Sequence, residues 1–185
     1  LAYACASKHT YERIVVIGPS HRVFIEGASI ALYEAYETPC GVLDIDLDFS
    51  KLLRETFPFL HHSPEAHAEH STETQMPFIH HYFPHTKIIE IVYGKLSSTE
   101  LSTLVDSLLE AEKTLVVIST DLSHFYTQEK ANALDTLCIK AIQTLSIEEL
   151  QGCEACGITG LQALVLSAQK QSLKPYFLDY RTSFE

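Results

Sequence analysis

Four side chains of the kinds that bind transition metals stand at the ends of predicted strands or at the starts of predicted helices. They are His21, His70, His124 and Cys156. Imidazole nitrogen and thiolate sulphur both bind iron, copper and zinc, and imidazole also transfers protons near neutral pH. The set could therefore form a metal centre, an acid–base site or both, provided that the fold brings these side chains together.

His21 follows a predicted strand in RIVVIGPSHR, residues 13–22. The β-branched run at 14–17 is typical of a buried strand, and Gly18 and Pro19 favour a fixed turn after it. Such a turn would hold the imidazole in one place, as a metal ligand must be held. A histidine in an exposed surface loop is the alternative interpretation.

His124 ends a second stretch of the same kind, TLVVISTDLSH, residues 114–124. Because ligands of open α/β sheets bind beyond the carboxyl ends of the strands, we expect His124 and His21 to lie at one edge. Asp121 could hold one tautomer of a histidine there. The alternative is a local turn in which the Asp121 side chain caps the following segment.

His70 lies in AEHSTETQMPF, at the start of a predicted helix that Pro77 kinks or ends. Glu73 is three residues further on, so it shares a helix face with His70 and could orient a metal-bound imidazole through the second ring nitrogen. The alternative is a capping box, in which Glu73 bonds the backbone at the start of the helix. The spacing is compatible with both arrangements.

Cys156 opens a predicted apolar helix, and a helix N-terminus favours the thiolate form that binds metals. The alternative is a small buried residue, which is the common state of a free cysteine. Cys153 forms a C-x-x-C motif with Cys156, but there is no second such pair to complete a zinc ribbon. The spacing of the five cysteines suggests no disulfide framework, so a reducing cytosol is the expected setting.

Strand-like and helix-like segments alternate along the chain. Strands are predicted at 14–17, 41–49, 87–94, 114–124 and 174–180, and helices at 48–57, 71–83, 97–112, 128–145, 146–152 and 156–171. This order predicts a single α/β domain over residues 1–185, with a central, mostly parallel sheet and helices on both faces. The histidines outside the set of four, His67 among them, are expected to be solvated or to line the rim of the site.

The net charge of −11, from 13 basic and 24 acidic residues, argues against nucleic acid or an anionic membrane surface as a partner. No apolar run approaches the roughly 18 residues that a membrane span needs. Leu1 is not an initiator residue, and both termini resemble cut edges, so we expect the chain to be truncated at both ends. A cytoplasmic location is the expected one.

The motifs GPSH, EHSTETQMPF, STDLSH and a CG pair at the start of an apolar helix occur in this order over nearly the whole chain. Together they resemble the Memo family, which includes the proteins called AmmeMemoRadiSam system protein B. The resemblance implies a fold similar to that of the class III extradiol dioxygenases, which are non-haem iron enzymes. It also implies a metal pocket lined by His21, His70 and Cys156, with His124 as the acid–base group and Asp121 beside it.

The dioxygenases hold iron with two histidines and one carboxylate, whereas the resemblance places Cys156 in the third position. Thiolate is softer than carboxylate, so the expected cofactor is iron or copper, with zinc as a further option. Three functions stay open: a metal-dependent oxidoreductase that acts on a small substrate, a catalytically vestigial binding or adaptor protein for a peptide or small ligand, and a zinc hydrolase with His124 as general base. The family name also suggests a radical-SAM enzyme as a partner.

Overall fold

The computed structural model describes residues 1–184. Its strands are Arg13–Pro19 (β1), Ala28–Ile30 (β2), Ala35–Thr38 (β3), Gly41–Asp44 (β4), Leu60–His61 (β5), Lys87–Tyr93 (β6) and Thr114–Ile118 (β7). Its α-helices are Ala2–Ala6 (α1), Leu47–Thr56 (α2), His70–Glu73 (α3), Met76–Tyr82 (α4), Ser98–Glu110 (α5), Gln128–Gln143 (α6), Ile147–Leu150 (α7) and Ile158–Lys170 (α8), and Pro64–His67 forms a short 3₁₀ helix. Among residues 1–184, none of the helices has the length and apolar character needed to cross a membrane.

Five strands form the central sheet in the order β5-β2-β6-β1-β7. β1 runs parallel to both β6 and β7, and β2 runs parallel to β5, whereas the β2–β6 pair is antiparallel. β3 and β4 form a separate two-stranded hairpin. The predicted α/β class with a mostly parallel central sheet is therefore confirmed.

Successive residues of β1 point to opposite faces of the sheet, and each face has its own apolar core. Val15 and Ile17 join the cluster that α5 and α8 cover, whereas Ile14 and Val16 join the cluster that contains Met76 of α4. Burial of an aliphatic side chain of this size contributes about 1.5–3 kcal/mol, so β1 is firmly held from both sides. Helices cover both faces, as predicted, and the strand that leads into the candidate site is rigid.

The helix predicted over residues 71–83 is two helices, α3 and α4, separated at residues 74–75. Pro77 lies in the first turn of α4, where a backbone N–H would have no acceptor within the helix. Proline is therefore tolerated at this position, and Pro77 starts a helix instead of kinking one. The short α3 packs closely against the end of β1. A Cβ atom on Gly18 would lie 2.5 Å from Oγ of Ser71, so this approach requires glycine at position 18.

Three predicted strands differ from the structure. Residues 174–180 form no strand, and the side chains of Tyr176, Phe177 and Leu178 in this segment are exposed. That prediction was wrong because a strand forms only where a neighbouring strand bonds its backbone, and no described strand does so here. The strand predicted over 41–49 ends at Asp44 as β4, and α2 begins at Leu47. The strand predicted over 114–124 ends at Ile118 as β7, which is the edge strand of the sheet and is half-buried, not buried.

A disulfide joins Cys138 of α6 to Cys153, which lies between α7 and α8. The expectation that the cysteines form no disulfide was therefore wrong. The sequence could not show the pair, because only the packing of α6 against the segment before α8 brings the two sulphur atoms together. Because Cys153 is bonded to Cys138, the two cysteines of the C-x-x-C motif do not act as a pair, and Cys156 is a free thiol.

Candidate metal-binding site

The carboxylate of Glu69 lies between the rings of His21 and His70. Oε1 of Glu69 is 3.0 Å from Nδ1 of His21 and 2.9 Å from Nδ1 of His70. The backbone N–H of His21 donates to Oε2 at 2.7 Å, and the backbone N–H of Ser71 donates to Oε1 at 3.1 Å. An ionised carboxylate can only accept, so Nδ1 of His21 carries the hydrogen of this bond and its Nε2 is left for a ligand, whereas Nδ1 of His70 lies at ion-pair distance from the same oxygen.

The two histidines are close enough to share one ion. Their ring centroids are 4.6 Å apart, and one donor atom from each of His21, Glu69 and His70 lies within 4.8 Å of the others. The histidine side chains are 32% and 51% exposed, whereas the Glu69 side chain is 1% exposed. Partly exposed imidazoles held from behind by a buried carboxylate are the arrangement that commonly orients metal-bound histidines.

The charge of Glu69 is stabilised by its surroundings. Burial raises the pKa of the Glu69 carboxyl, but the backbone N–H groups of His21 and Ser71 and the ring of His21 outweigh burial, so the pKa is lowered overall. Glu69 is therefore ionised at neutral pH. A carboxylate bonded to the far nitrogen of an imidazole makes the free nitrogen a better electron donor to a metal.

Cys156 lines a cavity together with the two histidines. The cavity has a volume of about 230 Å³, and its lining includes His21, His70, Asp121 and Cys156. Sγ of Cys156 accepts a hydrogen bond from the backbone N–H of Asp121 at 3.1 Å and lies 3.5 Å from Oγ1 of Thr120. Sγ does not belong to the cluster of donor atoms that lie within 4.8 Å of one another among residues 1–184. The structure thus brings the two histidines together and places the thiol in the wall of the same cavity, outside their donor cluster.

His124 and Asp121 form a pair beside this cavity. Nε2 of His124 is 3.3 Å from Oδ2 of Asp121, and the two side chains are 45% and 78% exposed. His124 lines a neighbouring cavity of about 580 Å³, and the two cavities share Thr120 and Asp121 in their walls. An exposed imidazole held by a carboxylate at the entrance to a cavity can donate or accept a proton.

Sequence reasoning missed Glu69 and assigned its role to Glu73. Glu73 is exposed, and the carboxylate that lies against the ring of His70 is that of Glu69. Glu69 is the N-cap of α3, and its side chain turns back to accept from Ser71. The available signal was the Glu-His pair at the mouth of a predicted helix, since an N-cap side chain reaches the first turn and the residue beside it.

His67 was expected to be solvated or at the rim, but it is buried, with an exposed fraction of 8%. Its Nδ1 donates to Oε2 of Glu90 at 2.9 Å, and its Nε2 accepts from Oγ of Ser29 at 2.8 Å. The prediction was wrong because Glu90 occupies a buried position in β6 and needs a hydrogen-bond donor there. Sequence patterns do not reveal which histidine the fold supplies to such a carboxylate.

Comparison with known proteins gives a consistent family description. The sequence model of the family described as Memo-like protein matches residues 2–185. A protein of Aquifex aeolicus named as a MEMO1 family protein is 34% identical over 145 residues, which is 75% of this chain and 54% of that protein. A protein of the same name from Methanobrevibacter smithii is 32% identical over 142 residues, or 72% of this chain and 50% of that protein. The chain thus spans about half the length of these two relatives.

A solved structure shares the fold. It is the crystal structure of an uncharacterized protein from Escherichia coli K12, with a TM-score of 0.56 and 13% sequence identity. The match covers 77% of this chain and 64% of that protein. At this level of identity the similarity supports the α/β fold and gives no information on the site.

Proposed function

The chain belongs to the Memo-like protein family, and from this premise we propose that it is a metal-binding oxidoreductase that acts on a small substrate. The observation that carries the proposal is the position of Glu69 between the Nδ1 atoms of His21 and His70. A single buried carboxylate that contacts two adjacent imidazoles from one side favours one ligand shared by both rings.

The donor set fits a soft or borderline metal ion. His21 and His70 would hold the ion through their ring nitrogens, and Cys156 would supply sulphur from the wall of the same cavity. The backbone N–H of Asp121 bonds Sγ at 3.1 Å and so holds the sulphur in one position. Imidazole with thiolate suits copper, iron and zinc, of which iron and copper would supply one-electron chemistry.

Glu69 is assigned a supporting role and not that of a ligand. Its two oxygens already accept hydrogen bonds from two backbone N–H groups and from Nδ1–H of His21, and Nδ1 of His70 lies 2.9 Å from Oε1. Direct binding of an ion would break several of these bonds at a side chain that is 1% exposed. The cost of leaving buried donors without a partner favours the arrangement in which Glu69 stays behind the histidines.

His124 would move protons between the substrate and solvent. Because Nε2 of His124 bonds Asp121, Nδ1 is the nitrogen free to take up or release a proton. The neighbouring cavity of about 580 Å³ offers space for a small organic molecule next to this nitrogen. Asp121 holds the ring in place and, through its backbone N–H, also contacts the thiol, so one short segment serves both parts of the site.

Metal content is the direct test of the proposal. The wild-type protein is purified without a metal-affinity column and reconstituted in turn with iron(II), copper(I) and zinc(II). Its metal content per chain is compared with that of His21→Ala and that of His85→Ala. His85 is an exposed histidine outside the four motifs and outside the described donor cluster, so its variant is the matched control. We expect about one ion per chain in the wild type and the control, and loss of most of it in His21→Ala. Equal metal content in the two variants would refute the site.

Turnover is tested separately from metal binding. The loaded protein is incubated with a panel of catechols and thiols under air, and oxygen uptake and products are measured. Oxidation of a panel member that disappears in the His21→Ala variant is the expected result. A protein that binds the ion but oxidises nothing in the panel would contradict the oxidoreductase assignment and leave a metal-binding protein.

A further inference from the structure

A second group of polar side chains is buried beneath the candidate site. Glu90, at the centre of β6, is 0% exposed, and its two oxygens are bonded to Thr72 and His67. Ser29 bonds the other nitrogen of His67. We call Ser29, His67, Thr72 and Glu90 the buried network. Burial of a carboxylate in the middle of a sheet costs free energy unless hydrogen bonds offset it. The presence of Glu90 and its partners at this position therefore calls for an explanation.

The order Ser29–His67–Glu90 resembles a hydrolase triad, but the geometry excludes that role. Ser29 is 0% exposed, so no substrate can reach its oxygen. Oγ of Ser29 also accepts the backbone N–H of Ser63 at 2.9 Å, which uses one of its lone pairs. The serine is thus a fixed partner for His67 and not a nucleophile.

Thr72 connects the buried network to the proposed metal site. Its hydroxyl bonds Oε1 of Glu90 and lies 3.1 Å from the backbone oxygen of Glu69. Ser71, next to it, donates its backbone N–H to the Glu69 carboxylate and its hydroxyl to the backbone oxygen of Pro19 at 2.8 Å. The turn that carries Glu69 is therefore fastened to β6 through Thr72 and to the end of β1 through Ser71.

We propose that Glu90 is a positioning residue for the metal site, acting through the Thr72 hydroxyl on the turn that carries Glu69. This inference rests on the function proposed above. Glu69 bonds Nδ1 of His21, and lies against Nδ1 of His70, only while its carboxylate stays between the two rings. His67 holds Glu90 from the other side, so the carboxylate of Glu90 keeps one orientation and Thr72 has a fixed acceptor.

The consequence is that a residue with no contact to the cavity determines which nitrogen of each histidine faces it. Glu90 does not line the cavity that contains His21, His70 and Cys156. Loss of the Thr72 bond would let the turn at residues 69–72 shift, and Glu69 would then move away from Nδ1 of His21, of His70 or of both. The imidazole left without Glu69 would populate both tautomers, as histidines do in solution.

The test compares Thr72→Val, which has nearly the same shape but no hydroxyl, with Thr72→Ser, which keeps the hydroxyl. The ¹⁵N NMR shifts of the imidazole nitrogens are measured in metal-free protein at alkaline pH, where they report the tautomer of each histidine directly. We expect the Nδ1–H tautomer for His21 and His70 in the wild type and in Thr72→Ser. We expect a mixture of tautomers for at least one of the two in Thr72→Val.

Thr103→Val is the matched control, because the Thr103 hydroxyl makes the same local bond, to the carbonyl oxygen three residues earlier, on the exposed face of α5. Cobalt(II) titration of the same proteins follows the visible absorption of the bound ion. The dissociation constant should rise by about 10-fold or more in Thr72→Val and stay unchanged in Thr72→Ser and Thr103→Val. The NMR measurement uses metal-free protein, so it tests the positioning role of Glu90 whether or not the wild type binds cobalt. Failure of the wild type to bind cobalt would refute the proposed function and not the positioning role.

A second variant covers the case in which Thr72→Val does not fold. Glu90→Gln keeps the size of the side chain but leaves one oxygen to accept from both Thr72 and His67, so one of the two bonds is lost. It should show the same mixed tautomers. The positioning role is overturned if a folded Thr72→Val or Glu90→Gln protein, judged by circular dichroism, keeps the wild-type tautomers of both histidines.

Discussion

Sγ of Cys156 lies 3.1 Å from the backbone nitrogen of Asp121, the residue whose side chain holds His124. The thiol in the wall of the proposed metal cavity is thus bonded to the segment that would transfer protons. A change in the charge or position of the sulphur therefore acts on Asp121 as well as on a bound ion. The contact links the proposed metal donor Cys156 to the proposed acid–base pair, and Asp121 lines both cavities.

Substitution of Cys156 by serine tests the thiolate as third donor. The serine hydroxyl can still accept from the N–H of Asp121, so the fold is expected to be retained, whereas the soft sulphur ligand is lost. We expect the affinity for copper(I) to fall by about 100-fold or more, because copper(I) depends on soft ligands. Competition with a chelator of known affinity measures it. Cys40→Ser, at an exposed free cysteine, is the control and should match the wild type.

Substitution of Glu69 by glutamine tests the support behind the histidines. The amide has one acceptor oxygen and an NH₂ group that faces donors, so at least one of the bonds to His21 and His70 is lost. The change should lower zinc affinity by about 10-fold to 100-fold. It should also lower the free energy of unfolding of the metal-free protein by about 1–3 kcal/mol, since a buried donor loses its partner. Glu73→Gln, at the exposed carboxylate on the same turn, should change neither quantity.

Replacement of His124 by glutamine should separate binding from turnover. The side chain lies outside the cluster of donor atoms, so we expect the metal content to stay at the wild-type level. Loss of a proton-transferring imidazole lowers kcat by about 10²–10⁴ for the panel compound that the wild type oxidises. Asp121→Asn should have a smaller effect in the same direction, because the ring remains but loses its anchor. A His124→Gln variant with unchanged kcat would exclude the assigned role.

The parts of the site that sequence reasoning identified are those that follow from strand order. β1 and β7 are parallel neighbours in register, with Ile17 opposite Ile118, so the residues after each strand meet at one edge. This is why the pattern of strands and turns was enough to place His21 and His124 on the same side of the sheet. The burial of β1 likewise followed from its β-branched residues.

The parts that were missed depend on side-chain partners across long stretches of chain. Glu69 is the N-cap of α3 and Glu73 is its last residue, and only the cap geometry decides which carboxylate turns toward the histidines. His67 and Glu90 are 23 residues apart and meet because the short 3₁₀ helix packs on β6. Tertiary contacts of this kind have no local sequence pattern, so a single sequence could not predict them.

Reduction of the Cys138–Cys153 disulfide should destabilise the protein without removing the metal site. The bond spans 15 residues, and a cross-link over a loop of this length contributes about 3 kcal/mol by restricting the unfolded chain. Denaturant unfolding with and without a reductant measures the difference. Cys138→Ser should show the low stability in both conditions and bind the same amount of metal as the wild type. An unfolding curve of the wild type that does not respond to reductant would contradict the bond.

The ion pair between Asp106 of α5 and Lys170 of α8 gives a prediction for the pH dependence of stability. Oδ2 of Asp106 lies 2.7 Å from Nζ of Lys170. Burial raises the pKa of the Asp106 carboxyl, but bonds from Lys170 and Ser167 outweigh burial and lower the pKa below its usual value of 3.8. A carboxyl whose pKa is lower in the folded state stabilises the fold above the unfolded pKa, and this contribution disappears as the pH falls through the folded pKa.

Asp106→Asn should therefore melt at a lower temperature than the wild type at neutral pH, and the two melting temperatures should converge as the pH falls below the usual carboxyl value of 3.8. Lys170 has a raised pKa because of the same bond to Asp106, so the stabilisation from this bond is also lost at strongly alkaline pH, where Lys170 loses its proton. Added salt should reduce the difference at neutral pH, since Lys170 is exposed. A difference that is independent of both pH and salt would show that α5 and α8 are held by their apolar contacts alone.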